Sequence, residues 1–489
     1  MKLFGGGKPD HPMAERKEAA RILGELPAQN LKAVEELAHW HESIGAAEGF
    51  KAEERAHRLA LVDEAAQPRL KKLAHEYLAA VRGTRGSRAQ ENLLWARVHE
   101  YWRQAAQAHA RCIDAVVQAG KGAEKSVAPM VAGTLRALAQ QLKWQHLRYG
   151  PIDAAVWGLM NRIVALAETR GIHEARREYL KAALFSASSP DSLLPPELEL
   201  AERVIAELAP AFTAAPTPAA ELPYWIDLGQ PMAPARGARP KQPGAGVRYI
   251  GPGPALGALR TFIKSVETHK LAPTELKLGT DVDPEMLLGV MRHLALYWAP
   301  EAPERKHKRH VVSSQLKIAH GFDGVVQALG GGDSLDFGAQ GAAESWTVEN
   351  VSAGGFGARA PQAKSDWLKV GALVAAQPDG ASNWLVGTVR RVSKVSNQEV
   401  RVGVQTLSKA PTLSQFALRN NTQADGVLLP AAAPGAADPA IALRAGVYIP
   451  GENLEAKVGD RQHVYMPQSV AARGDDYEIV RFREMVREA

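Results

Sequence analysis

The chain has 489 residues, of which 46% are hydrophobic and 23% charged, with a formal net charge of +6. That length exceeds one ordinary core and implies several domains, while so dilute a positive charge does not by itself argue for nucleic acid or a membrane surface. Cys112 is the only cysteine, which excludes an intramolecular disulfide and a thiolate metal cluster; no signal peptide and no run of roughly 18 apolar residues is visible, so a cytoplasmic protein without a membrane span is expected.

From Pro12 to Pro210 apolar residues recur three and four apart, the period of helices buried on one face. Leu31, Val34 and Leu37 form one stripe. Leu70, Leu73, Tyr77 and Val81 form another after an expected break at Pro68, and Leu94, Val98, Tyr101, Ala105 and Cys112 a longer one. Pro151 is placed at the opening of a helix whose inner face is Val156, Leu159, Ile163 and Leu166 and whose end is Gly171. Residues 1–208 are therefore read as a helical bundle or array. Between Ala209 and Gly246 the composition turns to Pro, Ala, Gly and Thr, interrupted by Tyr224-Trp225-Ile226, which reads as a linker. A small connecting region, 247–300, follows, with helices expected over Ala255–Thr268 and Pro284–Trp298.

After Arg309 the period changes to alternation. Strands are expected over Val311–Ala319, Ser345–Val351, Ala372–Ala376, Trp384–Val392 and Glu399–Leu407, with hairpin turns at Asp379-Gly380 and Ser396-Asn397. Short antiparallel strands with Gly at the turns predict a small closed barrel over 301–412. Residues 413–489 add strand signals near Gly446–Ile449, Gln462–Met466 and Tyr477–Phe482 after a Pro/Ala/Gly loop at Pro430–Pro439, either a separate β module or an extension of the barrel. The fold class is thus multidomain α+β.

Two motifs carry the chemistry. Arg305-Lys306-His307-Lys308-Arg309 is an R-x-x-x-R loop, kept from continuing a helix by Pro303. Its guanidinium groups can take phosphate oxygens bidentately, pair with the O6 and N7 of guanine, and stack on a purine. Taken alone, such a loop is more often a solvated charge run. Asn350-Val351-Ser352-Ala353-Gly354-Gly355 places an amide and a hydroxyl on alternate positions at a strand end, and its glycines allow a close approach to backbone. By itself it is more often an ordinary turn.

In this order, with a barrel pattern around them, the two motifs resemble the PilZ family, six-stranded barrels that bind cyclic di-GMP through an R-x-x-x-R loop and a [D/N]-x-S-x-x-G turn. The resemblance covers about residues 301–410, including Trp346 to Phe356, Lys369 to Val374, Trp384 to Arg390 and Gly403-Val404-Gln405. The resemblance implies that Arg305 and Arg309 clamp phosphate and guanine, that Asn350, Ser352 and Gly355 hold the guanine edge, and that Lys306, Lys308 and Gly354 assist. Glu304 precedes the first arginine at a position where the family varies between one ligand molecule and a stacked pair. A Gly-rich stretch at Gly330–Gly341 makes the segment between the motifs longer than the family pattern.

The function expected is a non-catalytic cyclic-di-GMP receptor whose ligand rearranges the helical region to control a protein partner, with motility, polysaccharide or biofilm as output. The alternative is a protein–protein scaffold whose barrel binds no nucleotide; nucleic-acid binding by the basic loop is a weaker third. Neither metal nor cofactor is expected. His39 and His41 fall on different sides of a helix and read as a partly exposed surface pair, and His109 with Cys112 as a packed core pair. Gly120-Lys121-Gly122 and Gly5-Gly6-Gly7-Lys8 lack the spacing of a phosphate loop.

Overall fold

The computed structural model describes residues 9–82, 88–119, 124–268, 278, 282–304, 307–331, 344–361, 367–396, 398–418, 422–430, 439–458 and 461–487. Two compact units divide the chain, residues 1–190 with 195–303 and residues 191–194 with 304–489.

In the first unit the helical period holds through α1 (Arg16–Gly24), α2 (Asn30–Ala46), α3 (Ala52–Arg82), α4 (Arg88–Ala119), α5 (Glu124–His146), α6 (Ala154–Thr169), α7 (Glu174–Ala187) and α8 (Pro195–Leu208). Val34, Leu37, Leu73, Tyr77, Val98, Tyr101 and Cys112 are all buried, as their spacing requires. Pro68 does not break the chain. It lies within α3, where packing against α2 and α4 outweighs the one hydrogen bond that a proline removes. Helix α6 begins at Ala154 rather than Pro151, because Asp153 caps it by accepting the Ala155 N–H at 2.8 Å. Gly171, φ +66°, follows its end.

The Pro/Ala/Gly-rich stretch expected as a linker is ordered as strands. β1 (Thr213–Ala215), β2 (Tyr224–Asp227), β3 (Ala235–Arg236) and β4 (Val247–Gly251) form a sheet in the order β1-β4-β2-β3. Composition misled here because few residues suffice: Leu222, Tyr224, Ile226, Val247 and Tyr249 are buried, and the Tyr224 hydroxyl donates to the carbonyls of Ala187 and Tyr297 at 3.0 and 2.6 Å. Helices α9 (Ala255–Glu267) and α10 (Pro284–Trp298) complete the unit, the latter capped by Asp283 with Pro284 in its first turn.

The second unit contains two barrels. β5 (His310–His320), β6 (Glu344–Ser352), β7 (Gly355–Pro361), β8 (Leu373–Pro378), β9 (Leu385–Lys394) and β10 (Glu399–Ser408) close in the order β10-β7-β6-β5-β8-β9. β11 (Thr412–Ala417), β12 (Gln423–Leu429), β13 (Ala440–Arg444), β14 (Leu454–Val458), β15 (Arg461–Arg473) and β16 (Tyr477–Arg487) close in the order β11-β12-β13-β16-β15-β14. Counted from the first strand of each, the neighbour relations are identical: first with second and fourth, third with second and sixth, fifth with fourth and sixth. The C-terminal strands are therefore a second barrel of the same connectivity, while Gly446–Ile449, expected as a strand, is a turn. Helix α11 (Gly321–Leu329) packs Phe322 and Val325 into an apolar seam shared by Leu373, Ala375 and Val386 of the first barrel and Val427, Leu429, Ala442, Tyr477 and Ile479 of the second.

Candidate functional site

The outer face of the first barrel is shaped by a bulge. Along β6, Glu344, Trp346 and Val348 point inward and are buried. Between Val348 and Asn350 the pairing with β7 slips by one residue, so that beyond it Val351 pairs with the buried Phe356, while Asn350 pairs with Gly357 and Ser352 with Gly355. One extra residue thus re-aims the alternation, and Asn350 and Ser352 lie on the outside together with Glu349.

The basic loop meets this face by register. β5 pairs His310 with Val351 and Val311 with Asn350. Continued backwards, the same register sets Arg309 opposite Ser352 and His307 opposite Gly354. The ladder itself stops at His310, but the His307 ring does lie beside the turn, where a Cβ at Gly354 would be 2.8 Å from its Cδ2. Arg309, Lys308 and His307 are exposed, and Val311, between Arg309 and the Asn350 pairing, is 91% exposed, unusual for an apolar side chain. Arg305 and Lys306 lie outside the described residues, as does most of the Gly330–Gly341 stretch.

Behind the two polar side chains the surface is low. Gly357 pairs with Gly403 across β7 and β10, and Gly355 with Gln405. The Asn350 amide covers Gly357, where a Cβ would be 2.8 Å from its Nδ2, and the Ser352 hydroxyl donates to the Gly355 carbonyl at 3.1 Å. Arg390 donates to Gln405 Oε1 at 2.7 Å, placing another guanidinium at the far rim. At the other end of the face, Arg359 is paired with Glu349 at 3.1 Å and Glu399 at 3.6 Å, whereas Arg309 and Lys308 have no ion pair among the described residues. The result is a strip of small residues lined by the Asn350 amide, the Ser352 hydroxyl and two exposed cations, Arg309 and Lys308, without an ion pair among the described residues.

Gly355 is required by packing. A Cβ there would stand 2.0 Å from the Val404 carbonyl oxygen, so Gly355→Ala must push β7 off β10. That variant is expected to lose about 1–3 kcal/mol of stability in chemical denaturation; an unchanged midpoint would contradict the close approach. His307, Val311, Gly357, Gly403, Arg390 and Gln405 were given no site role from sequence, although all but Gly357 fall in segments read there as motif or strand. The alternation of β10, with Gly403 and Gln405 two apart, was the available signal.

In the helical unit the expected pairings resolve differently. His39 is exposed but His41 is fully buried, the consequence of a two-residue step around α2. His109 lies at hydrogen-bond distance not from Cys112 but from Asp63, 46 residues earlier, with Nε2 2.8 Å from Oδ2. Cys112 gives a weak bond to the Ala52 carbonyl, and burial pushes its thiol up to about 11, leaving it protonated. Among the described residues no helix is long and apolar enough to cross a membrane.

Comparison with known families gives two matches in chain order. Residues 17–218 match the model described as the N-terminal domain of the cyclic-di-GMP receptor FimW, and residues 336–412 the one described as its middle PilZ domain. Together they span more than half of the chain. No curated protein matches it.

Proposed function

The chain belongs to the FimW family of cyclic-di-GMP receptors, and from that premise we propose that the outer face of its first barrel holds the ligand. Arg309 and Arg305 clamp phosphate and stack on or pair with guanine, while Asn350, Ser352 and the Gly355 backbone receive the base edge. Lys308 and Lys306 add positive charge, and Gly354 keeps the approach open beside His307. The observation that supports this reading best is the pairing of His310 with Val351 and the His307 ring beside Gly354, from which a continued register would bring Arg309 to Ser352. Val311 supplies apolar area that a bound purine would cover.

The basic loop also begins where the first compact unit ends, at Pro303 and Glu304. A dianionic ligand neutralises its like charges and fixes it on the barrel, and so alters the connection through which the helical unit reaches a protein partner. Motility, polysaccharide or biofilm control is the proposed output. Small-angle scattering with and without saturating ligand tests the rearrangement: one unchanged curve would leave a receptor that binds without switching.

Binding itself is tested by titration calorimetry of the full chain with cyclic di-GMP. Ser352→Ala removes one neutral hydroxyl and is expected to weaken binding by about 2- to 13-fold, the value of one net hydrogen bond of about 0.5–1.5 kcal/mol. A wild-type chain that releases no heat would instead favour the scaffold with a non-binding barrel.

A further inference from the structure

Three helices of the first unit bring ligating side chains to one point. His41 comes from α2, Asp63 from α3 and His109 from α4, and one donor atom from each lies within 4.8 Å of the others. His41 Nε2 is 3.1 Å from Asp63 Oδ1, and His109 Nε2 is 2.8 Å from Oδ2. Tyr101, from α4, donates its hydroxyl to Oδ1 at 3.0 Å and stands 3.2 Å from His41 Nε2. His41 is 0% and His109 4% exposed, and α5 packs on the latter at Gly133.

As a purely hydrogen-bonded cluster this arrangement is poorly compensated. Asp63 has no lysine or arginine partner among the described residues, and its half-buried carboxylate faces only His109, His41 and the Tyr101 hydroxyl. A half-buried carboxylate without a full counter-charge is costly. Neither His41 Nδ1 nor His109 Nδ1 has a hydrogen-bond partner, and in the metal-free protein the Nε2–H of each ring donates to Asp63. An ion that takes the place of those two protons would leave each ring protonated on Nδ1 with its Nε2 lone pair free to ligate.

We propose that His41, Asp63 and His109 form a binding site for one divalent transition-metal ion, of the class of Zn2+, in the helical unit. Two imidazoles and one carboxylate suit a borderline ion over the oxygen-seeking Mg2+ or Ca2+. Three protein ligands leave a coordination position open, and Asp63 also lines a cavity of about 1090 Å3 in the same unit, together with Gln67, Lys71 and Trp102. Water or a small ligand entering by that cavity can complete the shell. Tyr101 orients the carboxylate as an outer hydrogen bond. Because neither Nδ1 meets the acceptor that usually reinforces a ligating imidazole, affinity is expected to fall about 10- to 100-fold below that of sites with such support. The site is independent of the barrel, and its test does not involve cyclic di-GMP.

The experiment uses the full chain without an affinity tag, stripped by a chelator and titrated with Zn2+ by calorimetry and Co2+ by visible absorption. One equivalent per chain is expected, with a Co2+ band that is lost in His41→Gln, Asp63→Asn and His109→Gln while His39→Gln keeps it. Circular dichroism checks that each variant folds. For the unaltered protein, X-ray absorption of the Zn2+-loaded chain is expected to show two imidazole ligands, so the proposal stands or falls even where a variant does not fold. Uptake of no metal, a band that persists in the three variants, or a zinc shell with fewer than two imidazoles would overturn it and leave a metal-free His–Asp–His hydrogen-bond cluster.

Discussion

Arg309→Ala is expected to weaken cyclic-di-GMP binding by roughly 30- to 4000-fold, the factor that corresponds to about 2–5 kcal/mol for truncating one partner of a hydrogen-bonded charge pair. The size follows from position. Arg309 immediately precedes β5 and, by a continued register, would come to Ser352, where no carboxylate among the described residues competes for its guanidinium. Its side chain is exposed, so its removal leaves no cavity in the barrel, and the midpoint of unfolding is expected to stay within about 0.5 kcal/mol of the parent. Binding and stability thus separate in one variant. Arg309→Lys keeps the charge but loses the planar fork, and is expected to fall between the two. Calorimetric titration with the parent affinity retained in Arg309→Ala would remove the basic loop from the ligand site.

The second large effect concerns the helical unit. Lys143 on α5 is buried and faces two carboxylates of α8, Glu199 at 2.6 Å and Glu202, which also accepts from Gln140. Burial alone would lower the lysine, but Glu202 and Glu199 outweigh it and hold the ammonium above its ordinary range. Glu199 is likewise raised by burial and more than compensated by Lys143, so that it stays ionised below the usual carboxylate range. Lys143→Met leaves Glu202 without its ammonium and Glu199 with Arg203 alone at 3.2 Å, and is expected to cost about 3–5 kcal/mol, read as a fall of about 6–20 °C in the melting of the helical unit. Adding Glu199→Gln and Glu202→Gln should recover much of it.

The sign with pH follows from both groups. A depressed Glu199 contributes above its unfolded value and loses the contribution as pH falls through the folded one; a raised Lys143 contributes below its unfolded value and loses it as pH rises through the folded one. The difference between parent and variant is therefore flat near neutrality and shrinks in acid, below the ordinary carboxylate range. A melting shift under about 2 °C would mean that the cluster adds nothing.

Periodicity placed nearly all of the helical unit and the first barrel, because one-sided burial writes itself into the sequence at intervals of three to four or two. It failed where burial depends on partners far along the chain. Tyr224 and Ile226 could not announce that Val247 and Tyr249 would pair beside them across a proline-rich stretch, and helix α11 went unread although Phe322, Val325, Val326 and Leu329 carry the spacing. Of the ligand face, the two motifs were legible, but not the slip at Glu349 that turns Asn350 and Ser352 outward, since a bulge leaves no periodic trace. Asp63 was invisible as a partner of His109 for the same reason that any contact across 46 residues is.

The seam beneath α11 sets a limit on how the molecule can be divided. The first barrel closes its own ladder of backbone hydrogen bonds by Ser408, so on paper it could be cut free there. Doing so would strip Val427, Leu429, Ala442, Tyr477 and Ile479 from Phe322, Val325 and Val386, and wet a surface that is now dry. Whatever the smallest fragment able to stand alone in water proves to be, it is a twin, in which the barrel without the R-x-x-x-R loop keeps its sibling's apolar side out of water.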